Sequence, residues 1–271
     1  MRIALGIEYD GTNYHGWQFQ ANCKSVQACV DGAVSRVANE SVTVVCAGRT
    51  DAGVHALQQV IHFDTNAQRE HYAWTLGVNN YLPDDIRIIW AQCVTADFHA
   101  RRSAIARCYR YGILNQRVHS ALDRHRLCRY HRQLDVNKMQ IAANYLIGEH
   151  DFSSFRSAGC QSKSPYRHLY SIDVTRNGQR IWVEIIGNAF LHHMIRNIIG
   201  VLLLVGNGQK QPEWVQHVLN ARDRKVAGIT ASAAGLYFAG IFYPAHFQLP
   251  KQPEFNQLPN TLKRIESGAS E

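Results

Sequence analysis

The sequence predicts an α+β fold made of two tandem β-α-β-β-α-β units, on three observations. Apolar residues alternate with period two over short stretches and recur at helical spacing between them. The element order of the first hundred residues returns in the second half. The chain has 271 residues, 46% of them apolar and 18% charged, which suits a buried core and argues against disorder.

Ile3, Leu5, Ile7 and Tyr9 alternate with Arg2, Ala4, Gly6 and Glu8, a strand that Asp10-Gly11 ends. Ser25 can cap a helix whose apolar face is Val26, Cys29, Val30, Ala33, Val34 and Val37. A short strand follows over 42–46, and another over 60–63 after the loop GRTDAGVH. Residues 69–78 read as a helix stopped before Pro83, and Ile86, Ile88 and Trp90 alternate as a strand. This order is that of the ferredoxin-like, or RRM-like, unit.

The second half repeats the order without direct sequence identity to the first. Tyr109, Tyr111 and Ile113 form a strand pattern, and Asp135 can cap a helix carrying Val136, Met139, Ala143 and Leu146. Strands over 169–174 and 181–186 meet through Asn177-Gly178, a type I′ hairpin signal. An apolar helix over 190–205, a helix opening near Pro212 and a strand over 236–242 complete it. The expected domains are 1–104, which bears the GRTDAGVH loop, and 105–250, followed by a polar tail over 251–271. Side by side, the two units are expected to form one continuous mixed, largely antiparallel sheet. Helices would cover one side, and a basic cleft would run through the centre.

The charge balance points to a polyanion. The net charge is +8, from 22 Arg and 7 Lys against 21 acids, and nine of the arginines fall between His99 and Leu134 beside a single acid, Asp123. Arginine's planar fork fits phosphate oxygens and can stack on bases. Seven scattered cysteines without a C-x-x-C spacing suggest neither a disulfide framework nor a zinc site. The first residues open directly into a strand, and the longest apolar stretch is too short to span a bilayer. A soluble, cytoplasmic protein with no membrane partner is expected.

Gly48-Arg49-Thr50-Asp51-Ala52-Gly53-Val54-His55 lies between two strands. Bracketing glycines let a loop hold a carboxylate in a fixed pose, although on spacing alone a structural turn, with Asp51 bonded to its own backbone, is the default reading. The loop resembles the catalytic loop of the TruA family of tRNA pseudouridine synthases. Further blocks resemble the same family, in order: Tyr9-Asp10-Gly11 with Tyr14-His15-Gly16-Trp17-Gln18, then Phe98-His99-Ala100-Arg101 and Tyr109-Arg110-Tyr111. Asp151-Phe152-Ser153-Ser154-Phe155-Arg156, the run from Phe190 to Asn197, and Gly235-Leu236-Tyr237 follow.

The resemblance implies an intramolecular isomerase that converts uridine to pseudouridine at tRNA positions 38, 39 and 40, with Asp51 as catalytic carboxylate. Breaking the N1–C1′ bond, turning the uracil and joining C5 to C1′ oxidises nothing and imports no group, so no cofactor or metal is demanded. Asp51 could attack C1′, attack C6, or take a proton from C2′, and the residues do not choose among these. The resemblance places Arg49 at base flipping and beside the aspartate, Tyr109 against the target uracil, and Leu236 along the uracil pocket. It points to Arg69, Phe98, His99, Ala100, Arg101, Arg102, Arg117 and the segment Gly159, Cys160, Gln161, Ser162 and Lys163 for grip on tRNA. A homodimer is expected, from the resemblance and from the size of tRNA against one 30.7 kDa chain.

Two other readings compete: a non-catalytic RNA-binding protein of two RRM-like units, and a metal-dependent phosphotransferase using Asp51. No RNP-type aromatic motif supports the first, and no phosphate loop or second carboxylate cluster supports the other. His55 and His62 read as satisfied structural residues. His192 and His193, adjacent on a helix, would diverge and make a poor metal pair.

Overall fold

Ile3, Leu5 and Ile7 are buried on β1 (Arg2–Tyr9), the strand that the N-terminal alternation predicts. The computed structural model describes residues 1–250, and the expected polar tail over 251–271 lies outside the described residues. After β1 come α1 (Val26–Ala38), β2 (Val45–Cys46), β3 (His55–Asp64) and β4 (Ile86–Val94). Next are β5 (Ala106–Asn115), β6 (Cys128–Tyr130), α2 (Val136–Asn144), β7 (Gly148–Asp151), β8 (Tyr166–Asn177) and β9 (Arg180–Gly187). The last elements are α3 (Met194–Gly206), α4 (Trp214–Ala221) and β10 (Leu236–Phe242). The class is mixed α+β with mostly antiparallel strands. The chain divides into two compact units, Met1–Ala106 with the return segment from Tyr237, and Arg107–Leu236.

In the first unit β1 lies between β3 and β4 and is antiparallel to both. β2 pairs antiparallel with the far end of β3, and β10 joins β3 in parallel through Tyr237↔His55 and Phe238↔Ala56. The Ser25 hydroxyl accepts the Ala28 N–H at 3.4 Å, so the predicted cap opens α1. Trp90 lies across Gly6, where a Cβ would stand 2.1 Å from the indole nitrogen. The helix expected over 69–78 contains a π turn over Ala73–Gly77, closed by the Val78 N–H on the Ala73 carbonyl. Within that turn Trp74 is buried edge-on against Phe63, with ring centroids 5.3 Å apart.

In the second unit β9 pairs antiparallel with β5 and β8, and β7 pairs with β8. Asp135 caps α2 through the Lys138 N–H at 3.1 Å, as its position predicts. Three expectations are corrected. The hairpin turns at Gly178-Gln179, because Asn177 still pairs with Arg180. Positive φ at Gly178 alone is the type II′ pattern, not the I′ turn. α3 begins at Met194, because His193 takes a left-handed φ of 61° and cannot continue a helix toward Phe190. His192 and His193 therefore do not diverge on a helix, and their ring centroids stand 4.0 Å apart.

Candidate functional site

The loop that carries Asp51 is held at both ends and at its centre, all within the first unit. At its entry the Gln59 side chain spans Gly48, accepting the Gly48 N–H at 3.3 Å and donating to the Gly48 carbonyl at 2.6 Å. At its centre Thr50 is buried, with its hydroxyl 2.7 Å from the Tyr9 hydroxyl and its carbonyl accepting the Trp17 N–H at 3.0 Å. At its exit the Gly53 N–H donates to the Tyr14 carbonyl at 3.2 Å, and the Val54 N–H donates to the Asp51 carbonyl at 3.1 Å. Asp51 is half-buried and Arg49 exposed on this frame.

The segments Tyr9–Gly11 and Tyr14–Trp17 form the bed of the loop. A Cβ at Gly11 would stand 1.9 Å from the Val54 carbonyl oxygen. Gly16 has φ +86°, and a Cβ there would stand 2.4 Å from the Thr50 carbonyl oxygen. Both glycines let backbone touch backbone, so the two motif blocks are one structure. Tyr14 donates its hydroxyl to Asp85, and burial, aided by that bond, raises its pKa. His55 is buried on β3, not in the loop, and stacks on Tyr237 at 4.8 Å. Its Nδ1 lies 3.1 Å from both the Gly11 nitrogen and an Asp10 carboxylate oxygen. Its part is structural.

A groove of about 560 Å³ opens on this unit, lined in part by Arg49, His99, Arg101, Arg102, Gln18 and Gln27. Four of these six are residues that sequence reasoning selects. Gln18 stands in the Tyr14–Gln18 motif block without a role assigned to it, and Gln27, outside every block, carries no spacing signal. The His99 Nδ1 accepts the N–H groups of both Arg101 and Arg102 at 3.2 Å, which turns the two arginines outward together. Phe98 and Ala100 are wholly buried and anchor this turn. Phe98 packs on Tyr243 and Phe247, with centroids at 5.2 and 5.1 Å. The Ala100 N–H donates to His62 Nδ1 at 3.2 Å, and its carbonyl accepts the Tyr243 hydroxyl at 2.6 Å. Burial, reinforced by His99 and Arg2, brings the pKa of His62 down to about 4. Arg69 is exposed, with Nε donating to the Val37 carbonyl at 3.1 Å.

In the second unit Tyr109 is half-buried on β5 opposite Ile185, its ring edge-on to Phe190 at 5.0 Å. Leu236 is buried at the start of β10. Arg117 is exposed after β5. Gly159, Gln161 and Lys163 are exposed on a segment that Arg156 holds from below, donating to the carbonyls of Cys160 at 2.7 Å and Ser162 at 2.8 Å. Burial works upward on the Cys160 thiol. The backbone N–H groups of His192 and Ser162 and the Arg156 guanidinium outweigh it and leave the pKa below the ordinary range.

Asn197 explains two other motif blocks. It is wholly buried, donates to the Phe155 carbonyl at 2.8 Å and accepts from Arg224 and Thr230 at 2.9 and 2.7 Å. The blocks around Phe155 and Asn197 are thus tied together in the core.

A family model described as tRNA pseudouridine synthase matches residues 6–101 and 142–244 of the chain. The tRNA pseudouridine synthase A of Vibrio cholerae is 53% identical over 253 residues, covering 93% of this chain and 96% of that protein. The enzyme of the same name from Methylococcus capsulatus is 52% identical over 266 residues, covering 98% of each. That of Coxiella burnetii is 53% identical over 252 residues, covering 93% of this chain and 97% of that protein.

Proposed function

This chain belongs to the tRNA pseudouridine synthase family, and from that premise we propose that it acts at positions 38, 39 and 40 of the anticodon arm with Asp51 as its catalytic carboxylate. The overall reaction is the isomerisation of uridine to pseudouridine, an intramolecular rearrangement of base and ribose. The N1–C1′ bond breaks, the uracil turns, C5 bonds to C1′, and the proton lost from C5 is balanced by one gained at N1. The observation that carries the assignment is the loop frame. A carboxylate must meet one ribose or base atom within a few tenths of an ångström, and a loop clamped by Gln59, Tyr9, Tyr14 and Trp17 supplies that constraint.

Arg49, Arg101 and Arg102 share one groove on the Asp51 unit, which supports roles in base flipping for the first and phosphate contact for the other two. Tyr109 and Leu236 keep the roles that the resemblance implies, a ring on which uracil stacks and an apolar contact to it. Arg69, Arg117 and the exposed members of Gly159 to Lys163 serve as further tRNA contacts, and Phe98 and Ala100 position the arginines between them.

We further propose that the two tandem ferredoxin-like domains expected over 1–104 and 105–250 are present, with the return segment from Tyr237 joining β3 of the first. The strand order β4-β1-β3, with β2 beyond β3, supports this in the first, and the antiparallel series β5-β9-β8 supports it in the second. A cytoplasmic homodimer completes the reading. Among the described residues no helix is long and apolar enough to cross a membrane. Light scattering tests the dimer, and a mass of 30.7 kDa at working concentration would remove it.

The decisive assay incubates the protein with unmodified tRNA, without added metal or nucleotide, and digests the tRNA to nucleosides. Pseudouridine is expected from the wild type and not from Asp51→Asn. Full product from Asp51→Asn would overturn the assignment.

A further inference from the structure

We propose that the second unit carries its own phosphate-binding groove for tRNA, built around Asn115 and presented by Arg117, Arg129, Arg132 and Arg176. This rests on the proposed tRNA substrate and adds a contact surface to it. The resemblance singles out only Arg117 among these residues.

The groove has a volume of about 1150 Å³, and no carboxylate lines it. Three chain segments build it: the end of β5, the stretch from β6 to residue 133, and the β8–β9 turn. Parallel pairing of β5 with β6 sets Asn115 opposite Tyr130 and brings Arg129 to Arg117, whose carbonyl accepts from the Arg129 guanidinium.

Asn115 is 7% exposed and joins all three segments. Its amide nitrogen donates to the Tyr130 carbonyl at 3.1 Å and the Arg132 carbonyl at 2.6 Å. Its oxygen accepts the Leu134 N–H at 3.2 Å and Arg176 Nη2 at 3.1 Å. A buried amide with every hydrogen bond made is a rigid scaffold.

The arrangement brings four guanidinium groups together with no acid among the residues lining the groove, a repulsive assembly that an anion relieves. Among the described residues, neither the Arg117 nor the Arg132 guanidinium has a protein acceptor. The neighbouring acid, Asp123, is held by Arg180 at 3.0 Å. An open, polar, cationic trough suits successive phosphates of an RNA backbone more than an enclosed small molecule.

The test measures the affinity of full-length unmodified tRNA across a salt series for the wild type, Arg129→Gln/Arg132→Gln and Arg129→Lys/Arg132→Lys. The glutamine pair is expected to bind at least about tenfold more weakly at low salt. Its log–log salt slope should fall by about one for each arginine lost. The lysine pair keeps the charge and should recover most of the slope, which separates a contact role from misfolding. Unchanged affinity and slope in the glutamine pair would overturn the groove. Loss of pseudouridine formation by the wild type on tRNA would sink the proposed function instead, and tRNA affinity would still judge the groove.

Discussion

The Tyr9 hydroxyl lies 2.7 Å from the Thr50 hydroxyl, with both side chains buried, one residue before Asp51. A pair at the end of β1 therefore sets the height of the loop that presents the carboxylate. This contact, the Gln59 bonds to Gly48 and the surrounding backbone bonds hold the loop in place.

Tyr9→Phe keeps the ring and removes that hydroxyl. The buried Thr50 hydroxyl loses this partner, which should cost about 1–3 kcal/mol of stability. A shift of the carboxylate by about 1 Å can cost about a hundredfold in rate. The expected outcome is a larger fall in kcat than in tRNA affinity, read from single-turnover rates beside binding curves. A change in affinity alone would show that the pair does not position Asp51.

Gly16→Ala tests the bed of the loop from the opposite side. A methyl group would meet the Thr50 carbonyl, in a backbone conformation that L-residues rarely adopt. Destabilisation by at least about 2 kcal/mol is expected in chemical denaturation. Gly159→Ala is the control, since nothing stands within 4 Å of a Cβ there.

The regular parts of this fold were readable from the chain because their signals are local. Ser25 and Asp135 cap the helices they were expected to cap, since an N-cap needs only its own side chain and an N–H three residues on. The failures have long-range causes. β6 is three residues with half-buried side chains, and pairing with β5 defines it more than any alternation of its own. The left-handed His193 shortens α3, and no pattern in the apolar run from Phe190 announces it. At the site, Asp51 stood out through resemblance and Tyr9 stood in a motif block, while the Tyr9–Thr50 contact and the Gln59 clamp on Gly48 are made only once the strands β1 and β3 pair.

Replacing Arg101 and Arg102 together by glutamine should weaken tRNA grip through the groove they share with Arg49. The slope of log affinity against log salt should fall by about one per arginine. KM for tRNA should rise more than kcat falls, because phosphate contacts hold the ground state and the transition state alike. A salt slope equal to that of the wild type would place both arginines off the RNA.

His62 contributes to the acid limb of the fold, beside His99, whose pKa is also lowered by burial and by Arg102. Burial, with His99 and Arg2 nearby, lowers the His62 pKa from 6.5 to about 4, against a weaker upward pull from Asp64 and the Val45 backbone. The unfolded chain takes up this proton first as pH falls, so protonation favours unfolding. The stability that neutral His62 contributes is whole above pH 6.5, shrinks between 6.5 and about 4, and changes no further below that. Geometry agrees, because a protonated Nδ1 could no longer accept the Ala100 N–H that anchors the Arg101–Arg102 turn. Melting temperatures of the wild type and His62→Gln, measured from pH 7 to pH 4, should converge as the pH falls, with the variant showing the flatter curve. Parallel curves would mean that His62 titrates as it does in the unfolded chain.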